Sequence, residues 1–170
     1  TLITASGPGT LAVFGDEIVI GRGEGAQIAI ASPVVSRRHL VLRRDAAGDP
    51  RVDVVGRGTL LAGALVSGEL SVSGYLELTM GGVRCALDRE SDGSLVVETG
   101  GKRYGVPLGP RIVGPFVVAP QGEGLRLSSR IAGVYPHLDG VTACPEGIDL
   151  ARGDRISAER GGPFVVQVAR

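Results

Sequence analysis

Turn chemistry recurs along this chain at intervals of about ten residues, a spacing that leaves room only for short extended elements. Gly15-Asp16, Gly23-Glu24-Gly25, Ser32-Pro33, Gly48-Asp49-Pro50, Gly56-Arg57-Gly58 and Gly81-Gly82 all supply residues that tolerate a tight reversal. Between them lie β-type runs: Thr10 to Phe14, Glu17 to Ile20, Gln27 to Ile30, His39 to Arg43, Arg51 to Val55, Leu60-Leu61, Tyr75 to Thr79 and Val83 to Leu87. No apolar 3.6-residue period persists for three turns, so essentially no long helix is expected. With 28 Gly and 10 Pro spread over the whole length, aromatics at 4% and no Trp, the core has to come from Val, Leu, Ile and Ala. The expected class is all-β, a sandwich or barrel.

A chain of 170 residues can hold one large β-domain or two small ones. Ser91-Asp92-Gly93-Ser94 is small, polar and flanked by strand-like segments, which predicts one domain over 1–90 and a second over 94–170. In the second, the expected strands are Leu95 to Glu98, Lys102 to Val106, Arg111 to Val113, Phe116 to Ala119, Leu125 to Leu127, Ile148 to Leu150, Arg155 to Ala158 and Phe164 to Ala169. A weak repeat links the halves. Ile18 to Ile28 matches Val117 to Leu127 at constant offset, and the strand, Gly-Gly turn, strand pattern of Leu76 to Leu87 returns in Asp154 to Val168. Two copies of one β-domain and a chance alignment of Gly-rich turns both account for this match.

Lys+Arg and Asp+Glu balance at 18 each, which leaves no global basic field of the kind that sequence-independent nucleic-acid binding requires. Any anion site must be local. Lys102 is the only lysine, so nearly every cation is a guanidinium, suited to bidentate phosphate contacts, although codon usage in a GC-rich genome explains the same excess. Cys85 and Cys144, one in each half, lack metal-ligand spacing and are expected to be free thiols. No apolar run is long enough to span a bilayer, and the start lacks a signal-peptide pattern. A cytosolic location is expected, without membrane insertion of this segment. Because the chain begins at Thr1 and not at Met, it reads as part of a longer protein.

Chemistry concentrates between Gly21 and His39. Ser36-Arg37-Arg38-His39 follows Pro33-Val34-Val35 and precedes a strand, placing a hydroxyl and two guanidiniums on a loop at the sandwich edge. A phosphate dianion needs several convergent charge-assisted donors, which a hydroxyl, backbone N–H groups and Arg forks supply. Arg22, after the strand Glu17 to Ile20, can complete such a pocket from a neighbouring loop. Arg43-Arg44 read as a solvated strand end, and His137, beside Pro136, as a loop histidine.

Gly21-Arg22, Ser36-Arg37-Arg38-His39 and Gly58-Thr59-Leu60-Leu61-Ala62-Gly63 resemble, in order and spacing, the successive motifs of the forkhead-associated (FHA) domain, over roughly residues 1 to 90. The resemblance implies an FHA-type β-sandwich that binds phosphothreonine peptides, with a second small β-domain as a candidate degenerate copy. It assigns the phosphate to Arg22 and Ser36, assistance to Arg37, and structural support to Gly21, His39, Gly58 and Thr59. One motif departs from the family: Gly56 and Arg57 stand where a Ser or Thr and a peptide-gripping Asn are usual. Arg57 can donate to a peptide carbonyl or phosphate but cannot accept from a peptide N–H. In the second half the position matching Arg22 is Gln121, and Ser128-Ser129-Arg130-Ile131 has no His at the expected interval. That half is expected to pack or to present a protein surface.

No catalytic constellation is visible. The two histidines, His39 and His137, are far apart in sequence, neither cysteine has an activating base, and no Gly-Lys-Ser/Thr nucleotide loop is present. Gly21-x-Gly23-x-Gly25 lacks the full dinucleotide fingerprint. The expectation is a non-enzymatic interaction module with no cofactor, no metal and a phosphothreonine-containing protein as partner. The rival is a phosphate-independent FHA-like scaffold domain in a larger secretion or membrane-associated complex.

Overall fold

The computed structural model of the chain describes residues 2–5, 10–107, 110–122 and 124–168. Three residues used in the sequence reading, Thr1 at the start, Glu123 in the second repeat copy and Ala169 at the end of the last expected strand, lie outside them. The described residues form strands and turns with no helix, an all-β fold. The strands are β1 (Leu2–Ala5), β2 (Thr10–Val13), β3 (Glu17–Gly21), β4 (Ile28–Ala29), β5 (Leu40–Arg44), β6 (Pro50–Val54), β7 (Thr59–Leu61), β8 (Ala64–Leu65), β9 (Gly68–Ser71), β10 (Tyr75–Met80), β11 (Val83–Arg89), β12 (Leu95–Thr99) and β13 (Lys102–Val106). They continue with β14 (Arg111–Val113), β15 (Phe116–Gln121), β16 (Gly124–Ser129), β17 (His137–Leu138), β18 (Thr142–Ala143), β19 (Ile148–Asp149), β20 (Arg155–Ser157) and β21 (Phe164–Val168). Sequence reading missed β1, β8, β9, β17 and β18, which are short or lack an apolar pair of their own.

The chain divides into two compact units, Val13–Val106 and Thr1–Ala12 with Pro107–Arg170. In the first, one sheet runs β4-β3-β5-β6-β9 and the other β13-β12-β11-β10-β7-β8. Only β3 and β4 pair in parallel; the other neighbours are antiparallel. Period-two patterning explains the faces. In β12, Leu95 and Val97 are buried while Glu98 is exposed, and in β6 Val52 and Val54 are buried while Arg51 and Asp53 are half-exposed. Ile18, Ile20, Leu40, Leu78, Met80, Cys85 and Leu87 complete a largely aliphatic core.

The 91–94 turn, which sequence alone marked as a boundary, joins β11 to β12 inside this unit, with Asp88 opposite Val96 and Arg89 opposite Leu95. Small polar residues close a hairpin as readily as they form a linker, so local chemistry could not separate the two cases. The other unit has the sheets β14-β15-β16-β19 and β18-β17-β20-β21-β1, the last through pairing of Ile3 with Val168. Phe116, Val118, Leu127, Ile156 and Val166 form its core.

The two repeat segments are built differently. β3 pairs in parallel with β4 across an intervening loop, whereas Val117 to Leu127 is an antiparallel hairpin closed by Gln121 opposite Gly124. The second match, Leu76 to Leu87 with Asp154 to Val168, does join two antiparallel hairpins.

Candidate functional site

Three loops of the Val13–Val106 unit, after β3, before β5 and after β6, meet at His39. Their junction starts with backbone. The His39 N–H donates to the Ile20 carbonyl at 3.1 Å, Arg22 N–H to Ser36 O at 3.0 Å, and Ile30 N–H to Gly21 O at 2.8 Å. From the third loop, Val55 and Gly56 N–H both donate to His39 O, at 3.0 and 2.8 Å. The Arg22 Nε–H adds a bond to Val35 O at 3.2 Å, which aims the guanidinium along the loop that carries Ser36.

Two glycines permit this closeness. A Cβ on Gly21 would lie 2.2 Å from the Arg37 carbonyl oxygen and 2.8 Å from that of Ser36. A Cβ on Gly56 would lie 2.3 Å from the His39 ring. The residue that sequence comparison marked as a missing hydroxyl is therefore the one whose bare backbone lets the imidazole seat.

His39 has no exposed surface and both ring nitrogens are used. The Ser36 N–H donates to Nδ1 at 3.0 Å, so Nδ1 is an acceptor and the proton resides on Nε2. The Thr59 hydroxyl donates to Gly56 O at 3.1 Å and accepts from Nε2–H at 2.9 Å. Burial pushes the imidazole pKa below its ordinary value, which keeps this tautomer neutral. The network sets the loop conformations without using the groups that face solvent.

Those exposed groups are Arg22, Ser36, Arg37 and Arg57. Within residues 13–106, Arg38 pairs with Glu17, Arg43 with Glu69, Arg51 with Asp45, Arg84 with Glu77, Arg89 with Asp49, and Arg103 with Glu90 and Glu98. Arg44 donates to the carbonyls of Gly48 and Gly93. Among the described residues, Arg22, Arg37 and Arg57 have no carboxylate partner, and the Ser36 hydroxyl makes no hydrogen bond. Glu24, in the loop after Arg22, is exposed and also unpaired. The structure thus gathers Gly21, Arg22, Ser36, His39 and Thr59 into one bonded cluster, with Arg37 and Arg57 as exposed neighbours in sequence of Ser36 and Gly56. Gly58 holds φ at +74° in the turn after Arg57.

Sequence reading missed Val35, whose carbonyl holds Arg22, and Gln27, whose side-chain oxygen accepts from Val19 N–H at 2.8 Å. Both act through contacts distant in sequence and carry no local signal. Cys85 is free and buried, with burial raising its thiol pKa to about 12, while Cys144 is free and half-buried. No cluster of His, Cys, Asp and Glu able to hold a metal occurs among the described residues. No helix there is long and apolar enough to cross a membrane.

The FHA domain family model matches residues 18–74. Among solved structures, the FHA-2 domain of the Mycobacterium tuberculosis ABC transporter Rv1747 is similar at 23% identity and a TM-score of 0.38, covering 49% of this chain and 74% of that one. The FHA-1 domain of Rv1747 from the same organism is similar at 25% identity and a TM-score of 0.38, covering 58% of this chain and 94% of that one. No curated protein matches the chain.

Proposed function

Since residues 18–74 carry an FHA domain, a module that in general recognises phosphothreonine in signalling proteins, we propose that this one binds a phosphothreonine peptide through Arg22 and Ser36, with Arg37 assisting. The supporting observation is an exposed hydroxyl and guanidiniums without acidic partners, on loops held by the His39 network, in a unit whose other arginines are neutralised or bonded to backbone. A phosphate meets such a site with little reorganisation, because the loops are already bonded to one another. Phosphothreonine arises where kinases have ATP, so the module works in the cytosol. Its role is recognition, without catalysis.

Titration of a phosphothreonine peptide library, with phosphoserine and unphosphorylated controls, tests the reading. Salt-sensitive binding restricted to phosphothreonine is the expected result. Arg22→Ala and Ser36→Ala should each weaken it, Arg22→Ala by about 1.5 to 3 kcal/mol, the scale of a charge-assisted hydrogen bond. Equal binding of unphosphorylated protein by wild type and Arg22→Ala would sink the proposal in favour of the phosphate-independent scaffold, the reading that Gly56 and Arg57 favour by their departure from the family pattern.

A further inference from the structure

Arg57 is the exposed arginine of this unit that the phosphate contacts leave over. It follows Gly56, which is bonded to the His39 carbonyl, so it comes from a different segment than Arg22 or Ser36. It has no carboxylate partner among the described residues, and its side chain makes no hydrogen bond there. Where the resemblance places a peptide-gripping Asn, a guanidinium offers five donors and no acceptor. It therefore cannot bracket a neutral peptide unit by donating to its carbonyl and accepting from its N–H. Its planar fork matches a carboxylate or a phosphoryl group, which it holds by two parallel hydrogen bonds.

Charge points the same way. A phosphothreonine carries about −1.5 to −2 at neutral pH, which Arg22 and Arg37 together offset. A third guanidinium, on the segment that Gly56 bonds to the His39 carbonyl, exceeds what one phosphate requires, and no carboxylate among the described residues pairs with it.

We propose that Arg57 reads a second anionic group on the ligand, a carboxylate or a second phosphoryl group near the phosphothreonine, so that the preferred partner is an acidic or doubly phosphorylated segment. The inference rests on the phosphothreonine reading of Arg22 and Ser36 and adds the chemistry of the flanking residues. It also gives the departure at position 57 a function: one amide grip on any peptide backbone is replaced by a charge filter on which peptides bind.

Three synthetic peptides with one central phosphothreonine test it by calorimetric titration of the full chain. One has neutral neighbours, one has aspartates on both sides, and one has a second phosphothreonine close by. The wild-type protein should bind the better of the two anionic peptides about tenfold tighter than the neutral one, the factor that corresponds to about 1.4 kcal/mol. Which of them is better identifies the carboxylate or the phosphoryl group as the source. In R57N, which restores the amide of the family pattern, that ratio should fall below about twofold, and R57Q should agree. Thermal unfolding of both variants establishes that they are folded; if one is not, the other carries the test. A ratio in folded R57N or R57Q equal to that of wild type overturns this inference, as does a wild-type ratio near one. Arg22→Ala separates the two levels: if it leaves binding of all three peptides unchanged, the phosphate site itself is wrongly placed, whatever Arg57 does.

Discussion

Adding a proton to His39 would set an N–H at Nδ1 against the Ser36 N–H that now donates to it at 3.0 Å. The imidazole also carries the bond to Thr59. Its folded pKa lies below the ordinary 6.5, so between these two values the unfolded chain binds the extra proton and the folded chain does not. The contribution to stability is full above 6.5 and is lost as pH falls through the folded value. Glu17, held low by the hydrogen bond from Arg38, and Asp45, held low by that from Arg51, titrate further to acid. Denaturant unfolding from about pH 7.5 down to about pH 5 should therefore show a falling midpoint in wild type and a flatter curve in His39→Gln, which is also less stable at neutral pH. Gly21 gives a steric counterpart. Gly21→Ala must displace the Arg37 carbonyl, backbone that cannot swing aside, and is expected to cost about 1 to 3 kcal/mol. The proposed phosphopeptide binding should weaken with it, because the same carbonyl belongs to the loop that carries Ser36. Sequence marked both residues as supports of the site; the reason each is needed is a contact across the fold.

At the scale of elements, β7 and β8 illustrate how a turn can persist without its preferred residue. Leu61 pairs with Ala64, and the two residues between them, Ala62 and Gly63, have φ of 49° and 81°. Positive φ at both central positions defines a type I′ turn, for which Asn-Gly is the favoured pair and a Cβ at the first position is strained. Ala62→Asn should raise stability by about 1 kcal/mol in denaturant unfolding. No gain would mean that neighbouring packing, and not the turn, sets that conformation. Most other strands were legible because alternation and turn residues are local properties, as in β12, where Leu95, Val97 and Thr99 are buried and Glu98 is exposed. Pairing was not legible. Ile18 to Ile28 and Val117 to Leu127 share an apolar and Gly-rich pattern, yet one forms a parallel pair around a loop and the other a tight antiparallel hairpin. A strand's partner is chosen by the sheet around it, which a short window of sequence does not contain.

For the whole molecule, the compact unit Val13–Val106 makes a test of where the proposed binding module ends. A fragment of residues 13–106 should unfold cooperatively and show the proposed phosphothreonine binding. A fragment of residues 1–90 lacks β12 and β13, and with them the buried Leu95, Val97, Tyr104 and Val106, and leaves β11 without its neighbour. It should show no cooperative transition by circular dichroism, and a sharp transition there would restore the boundary at 91–94. Some properties of this chain follow from sequence alone. The all-β class, the free cysteines and the candidate residues from Gly21 to Thr59 are written in residue type and spacing, which act over a few neighbours. Tertiary structure decided the rest: that Leu2–Ala5 joins β21, that the 91–94 turn lies within a unit, that Gly56 seats His39, and which arginines remain unneutralised. Each depends on atoms brought together from distant parts of the chain, where burial and Coulomb energy act by distance in space and not by separation in sequence.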